Sequence, residues 1–141
     1  MEEFFDTSVL VAAFWGGHRD HPASIKRLRS ASKTRSACAV HSLAEVYATM
    51  TALPVKPMIP AEQAMLFVQE VRDRLSLVSL DESEYFAAIH KIAEAGFTSG
   101  RVYDGLLLGC ATKVKAKNIY TWNVKHFQSL APEEASRIRT P

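Results

Sequence analysis

Apolar residues along this chain fall into two alternating patterns. Short runs at Glu3 to Phe5, Ala37 to Val40, Leu77 to Leu80 and Asn118 to Thr121 have the length and composition of strands. Between them, apolar positions recur every three or four residues, the spacing of one helix face. Thr7-Ser8 offers a cap for a helix over Val9 to Phe14, which Gly16 and Gly17 break. Asp20 can cap the next helix, with Pro22 in its first turn and Ile25 and Leu28 on one face. Ser42 opens a helix over Leu43 to Leu53, stopped by Pro54 and Pro57. Pro60 starts another, with Ala64, Phe67, Val68, Val71 and Leu75 on its inner side. Asp81 and Glu84 fit a capping box for Tyr85 to Ala95, and Gly96 fits the closing cap. A loop over Thr98 to Arg101 leads to a helix over Val102 to Lys115, with Leu107, Leu108, Ala111 and Val114 inward. Val124 to Leu130 reads as a short turn or helix. Strands alternating with helices in this way predict an α/β fold with a mostly parallel sheet.

Length and composition narrow the class. At 141 residues without linker, repeat or low-complexity segment, positions 1–141 read as a single domain. The hydrophobic fraction of 48% supports a continuous core. No apolar run approaches the roughly 20 residues of a membrane helix, and Met1-Glu2-Glu3 lacks the basic start of a secretory signal, so a cytoplasmic protein is expected. Cys38 and Cys110 give no disulfide framework; both sit among small and apolar residues and read as buried hydrophobes. Net charge is only +2, but its distribution is uneven. Lys26, Arg27, Arg29, Lys33 and Arg35 form one basic stretch, and Lys113, Lys115, Lys117 and Lys125 a second. Such clustering suits a polyanion-facing surface, with the stretches as rails for phosphate; ordinary solvated helix faces account for it equally well.

Three acids stand apart from the polar helix faces. Asp6 ends the first strand between Phe4-Phe5 and Val9-Leu10-Val11, Glu45 has no charged neighbour, and Asp104 precedes Leu106-Leu107-Leu108. An ionised carboxylate in apolar surroundings is costly without compensation. Asp6, Glu45 and Asn123 each follow a predicted strand, where open α/β sheets form their crevice. Mg²⁺ or Mn²⁺ would account for the set, since hard cations take oxygen ligands together with water and phosphate. Local roles remain open on spacing alone: Asp6 as a helix cap, Ser42 with Glu45 as a capping box, Asp104 as a complement to a helix dipole.

The segments Asp6-Thr7-Ser8-Val9-Leu10, Ser42-Leu43-Ala44-Glu45-Val46, Tyr103-Asp104-Gly105-Leu106-Leu107 and Thr121-Trp122-Asn123, followed by His126-Phe127, resemble in order the four signature segments of PIN-domain nucleases. Length and the Gly100 to Asp104 segment resemble the VapC-type toxins of that family. The resemblance implies a PIN-like domain, its five-stranded parallel sheet flanked by helices on both sides. It further implies Mg²⁺- or Mn²⁺-dependent cleavage of RNA by metal-activated water, and a homodimer neutralised by an antitoxin. Asp6, Glu45 and Asp104 match the metal-binding acids, and Asn123 the fourth acidic position. Ser8 matches a polar position within the site, and Thr121 a hydroxyl beside the fourth ligand position. Asparagine at 123 removes a negative charge, which weakens the case for a second ion and makes a weak or inactive RNA-binding or assembly module the alternative.

Other residues carry secondary expectations. Arg101 and Lys125 are candidates for phosphate contact. Trp15 and Trp122 could stack on bases or simply pack. The five histidines lack zinc-like spacing. Gly105 and Gly109 would let another element approach closely. Phe14, Trp15 and Leu53 are expected to need cover from a second copy or an antitoxin. Use of Asp6 as a phospho-acceptor is disfavoured, because no second aspartate follows in an Asp-x-Asp pattern.

Overall fold

A computed structural model describes residues 1–141. Five strands, β1 (Glu3–Phe5), β2 (Ser36–Ala39), β3 (Ser76–Val78), β4 (Asn118–Tyr120) and β5 (Ile138–Arg139), form one all-parallel sheet in the order β3-β2-β1-β4-β5. The helices are α1 (Thr7–Phe14), α2 (His21–Ser30), α3 (His41–Ala52), α4 (Ala61–Arg74), α5 (Glu82–Glu94), α6 (Arg101–Lys113) and α7 (Val124–Leu130), followed by a 3₁₀ turn over Pro132–Arg137.

Helices cover both faces because the strands are apolar on both. Phe4 stands level with Ala37 and Ile119, and Phe5 with Cys38 and Tyr120. Side chains alternate across a strand, so these rows feed two cores. Phe4, Ile119 and Ile138 pack with Ile92, Leu107 and Phe127 of α5, α6 and α7. Phe5, Cys38 and Tyr120 pack with Val9, Leu10, Leu28, Val46, Met50 and Val71 of α1 to α4. Both cysteines are free and buried, and burial pushes their thiols up to about 12 for Cys38 and about 11 for Cys110. Such thiols are inert packing groups. No helix is long and apolar enough to cross a membrane.

Local chemistry accounts for most element ends and for several departures from the sequence reading. The Asp81–Glu84 capping box forms in both directions, at 2.8 and 3.0 Å, and Gly96 takes the left-handed φ of +80° beyond α5. Asp20 precedes α2 but makes no capping bond; its carboxylate takes Arg19 instead. β2 and β3 each begin one residue earlier than the apolar runs, at serines; Ser36 is tolerated there because its hydroxyl donates to Glu3 Oε2 at 2.8 Å. Phe14, Trp15 and Leu53 need no second chain to cover them. Phe14 stacks on Phe67 with centroids 4.7 Å apart, Leu53 is buried, and Trp15 packs against the same core. Trp122 likewise packs there, its Nε1 donating to Ser24 Oγ at 2.8 Å. The large apolar side chains left exposed are others, among them Phe86 on α5 and Leu66 on α4.

The two glycines of α6 admit α5. A Cβ on Gly105 would lie 2.5 Å from both Cγ1 and Cδ1 of Ile92, and one on Gly109 would lie 3.2 Å from Leu80 Cδ1. Helix propensity alone would favour Gly105→Ala by about 1 kcal/mol, whereas overpacking a stiff isoleucine costs about 1–3 kcal/mol. We expect Gly105→Ala to lower the urea midpoint, and Ile92→Val, which removes Cδ1, to recover part of the loss in the double variant. Additive effects in that pair would mean that the two positions do not press on each other.

Candidate active site

The order of strands reverses at β1, which has β2 on one side and β4 on the other, so the crevice opens beyond their carboxyl ends. Asp6 is the first residue past β1. Its backbone N–H donates to Tyr120 O at 2.9 Å, which seats it beside the end of β4. The side chain is 3% exposed and makes no capping bond to α1, contrary to a purely local role. Two hydroxyls converge on Oδ2 instead, Ser8 Oγ at 2.6 Å and Thr121 Oγ1 at 2.8 Å. Each hydroxyl accepts a backbone N–H in turn, Ser8 from Trp122 and Thr121 from Asn123, both at 3.0 Å. Each proton is therefore committed to the carboxylate. No side chain bonds Oδ1, which leaves that oxygen with the backbone N–H groups of Thr7 and Ser8 as its protein neighbours.

Glu45 comes from the second turn of α3. That helix starts at His41 and Ser42 lies inside it, so Ser42 and Glu45 form no capping box. Thr7 Oγ1 lies 2.9 Å from Glu45 Oε1 and 3.0 Å from Ser42 Oγ. Its single proton serves one acceptor at a time, and the carboxylate is the stronger. Thr7, read in the sequence only as part of a cap, is thus the residue that orients Glu45. His41 sits one turn before Glu45, with Nε2 3.9 Å from Oε1.

Asp104 lies in the first turn of α6, which starts at the same sheet edge and returns toward the beginning of β4. Burial, then the charges of Asp6 and Glu45, push its carboxyl up to about 6, with Arg101 opposing. Burial also raises Asp6, offset by Ser8 and Thr121, and raises Glu45, where Thr7 and His41 oppose and Asp6 adds. Asp104 thus feels the charges of Asp6 and Glu45, and Glu45 that of Asp6, across one edge of the sheet. Asn123 follows β4 at the same edge, but its side chain is exposed and bonds none of them.

The donor set is all oxygen and negatively charged, which suits a hard divalent cation. No three His, Cys, Asp or Glu side chains stand close enough together to hold a metal ion between them. Mg²⁺ is commonly held by one or two carboxylates with waters and substrate phosphate, and needs no such trio. The residues therefore fit an open Mg²⁺ or Mn²⁺ site rather than a closed structural one.

Apart from Lys125, the basic stretches do not flank this centre. Lys33 and Arg35 precede β2 and Lys117 precedes β4, at the amino edge of the sheet. Arg27 pairs there with Glu3 at 3.3 Å, Lys117 pairs with Glu2 at 2.7 Å, and Lys113 is held by Glu84 at 2.6 Å. A parallel sheet puts all strand starts on one side, which spacing along the chain could not reveal. Cations at the carboxyl edge are Arg101, which opens α6 and donates to Ser129 Oγ at 3.2 Å, and the exposed Lys125 of α7.

The raised Asp104 carboxyl fixes the sign of a pH effect. Between the ordinary aspartate value near 4 and about 6, the folded chain holds this proton more tightly than the unfolded one, so its contribution to stability falls as pH rises. Asp104→Asn cannot lose a proton. In metal-free buffer its melting temperature should gain on wild type as pH rises from 4 to 7, with the difference level above about 7. A constant difference across that range would place Asp104 away from the other two acids.

Comparison with known proteins agrees with this fold. The family model described as "PIN domain" matches residues 4–131. Ribonuclease VapC40 of Mycobacterium tuberculosis, in strains CDC 1551 and H37Rv, is 27% identical over 95% of this chain and 92% of its own. The crystal structure of Mycobacterium tuberculosis VapC20, a sarcin–ricin loop cleaving toxin, superposes with a TM-score of 0.68 at 17% identity, over 89% of this chain and 92% of that one. VapBC2 from Rickettsia felis, solved with a DNA fragment from its promoter, gives 0.66 at 17% identity over 99% and 98%. With a family match running from β1 to the end of α7, over a five-stranded parallel sheet flanked by helices, the chain belongs to the PIN domain family.

Proposed function

We propose that the chain is a Mg²⁺- or Mn²⁺-dependent endoribonuclease, the toxin of a toxin–antitoxin pair, working in the cytoplasm as a homodimer. The observation that carries this reading is the meeting of Asp6, Glu45 and Asp104 at one sheet edge, each disfavoured as an anion. The ribonuclease name of the VapC40 relatives supports RNA as substrate, and the likeness to VapBC2 supports an antitoxin partner. When bound, the cation would offset the carboxylate repulsion, polarise the phosphate and activate water for in-line attack.

The chain's own residues supply the positioning. Ser8 and Thr121 lock Oδ2 of Asp6, whose Oδ1 no side chain bonds. Glu45 is aimed by Thr7, and Asp104 gives up its proton more readily as positive charge arrives. Arg101 and Lys125 stand at the same edge for phosphate. One feature favours the non-catalytic alternative: the neutral, exposed Asn123 adds no charge to the centre.

Three experiments test the proposal. Wild type should cleave a mixed RNA pool with Mg²⁺ or Mn²⁺ and not in chelator, and Asp6→Asn should not cleave; Ser8→Ala or Thr121→Val should lose about 10–100-fold. RNA binding without metal-dependent cleavage would select the binding-module reading. Saturating Mg²⁺ should raise the melting temperature of wild type, the folded state gaining about 2.7 kcal/mol at a hundred times Kd, and Asp104→Asn should lose much of that gain. Lys125→Glu should weaken RNA binding and reduce its salt slope by about one, whereas Lys33→Glu at the far edge should leave both unchanged. Equal effects from the two reversals would contradict binding at the carboxyl edge.

A further inference from the structure

The rings of His41 and Tyr103 stack beside the acids. Their centroids are 5.6 Å apart and their planes differ by 5°. His41 opens α3 and Tyr103 lies in the first turn of α6, so both stand at the carboxyl edge. Each is tied to one of the carboxylates: His41 Nε2 is 3.9 Å from Glu45, and Tyr103 immediately precedes Asp104. Both side chains are exposed, Tyr103 by 48%, and the Tyr103 hydroxyl makes no hydrogen bond within the protein. Neither ring is therefore serving the core. Beside them opens an apolar cavity of about 250 Å³ whose walls include His41, Val40, Tyr85, Leu106 and Cys110. Val40 and Tyr85 are themselves exposed, by 42% and 46%.

We infer that the His41–Tyr103 pair and the adjoining cavity form a stacking platform for one unpaired nucleobase of RNA, next to the phosphate held at the acids. The inference rests on the ribonuclease reading and adds how substrate is gripped. Its occupant follows from continuity: a polyanion whose phosphate lies at the carboxylates has its neighbouring base within reach of rings that adjoin two of them. A flat π-face is offered by every base, so stacking gives affinity with little sequence demand. A base inside a duplex has both faces covered, so the platform favours single-stranded segments. Trp15 and Trp122, the aromatic candidates visible in the sequence, are committed to packing, and among the exposed aromatics the His41–Tyr103 pair is the one tied to the acids.

The test compares Tyr103→Leu, which keeps helix propensity and apolar bulk but loses the π-face, with Tyr103→Phe, which keeps the ring. On a single-stranded RNA substrate with Mg²⁺, Tyr103→Leu should raise KM about tenfold or more with a smaller change in kcat, and Tyr103→Phe should behave like wild type. With Mg²⁺ present and irradiation brief enough to precede appreciable cleavage, a mixed-sequence single-stranded RNA carrying 5-iodouridine should photocrosslink to Tyr103 or His41 in wild type. Wild type that cleaves RNA while Tyr103→Leu keeps its KM, or while crosslinks map elsewhere, overturns the platform and leaves the ribonuclease reading intact. A Tyr103→Leu chain that only melts earlier, with KM unchanged at a temperature where it is folded, also overturns it. Wild type that neither binds nor cleaves RNA removes both readings.

Discussion

A carboxylate held under 4% exposure at the end of a strand is the constraint around which this molecule is arranged. Asp6 is tolerated because two hydroxyls meet on one of its oxygens, and one of them belongs to the residue just past β4. That meeting requires β1 and β4 to be neighbours in a fixed register, with Phe5 opposite Tyr120. A slip of β4 by one residue would turn Ile119 and Tyr120 to the wrong faces and withdraw Thr121 from Asp6 together. Core packing and the geometry of the site are thus enforced by the same register, and neither can drift without the other.

The site is electrostatically unfavourable by itself. Burial acts against all three anions, and their mutual repulsion adds to it at Asp104 and Glu45. Hydroxyl donors offset part of this at Asp6 and Glu45, while Asp104 receives no comparable help. The favourable free energy comes from the two apolar layers that the double-faced sheet sustains. Placing the strain at the carboxyl edge, where helices begin, keeps it away from those layers. Active sites that oppose the stability of their own fold in this way are common.

Much of the architecture was legible in the sequence because it is local. Apolar spacing marked four strands and the principal helices, and the Asp81–Glu84 box formed as its spacing implies. β5 was not legible from residue pattern: two residues, one of them arginine, carry no periodicity, and only the family resemblance supplied a fifth strand. The acids could be picked out because each interrupts an apolar context. Their partners could not, because Thr7 meets Glu45 and His41 meets Tyr103 only after the chain has closed over long separations. The basic stretches misled for a related reason. Clustering along a chain says nothing of which sheet edge a residue occupies, and β2 and β4 start at the edge away from the acids.

The dependence of Asp6 on Thr121 also has a temporal side. Synthesis proceeds from the amino end, so Asp6, Glu45 and Asp104 emerge from the ribosome in that order and the hydroxyl that completes the Asp6 cradle emerges after all of them. Until β4 docks beside β1, the nascent chain has no switch-point crevice and its acids belong to separate, solvated segments. Contacts of such long range close late in folding. A protein of this design leaves the ribosome with its acids apart, and the segment from β4 onward is what assembles the centre.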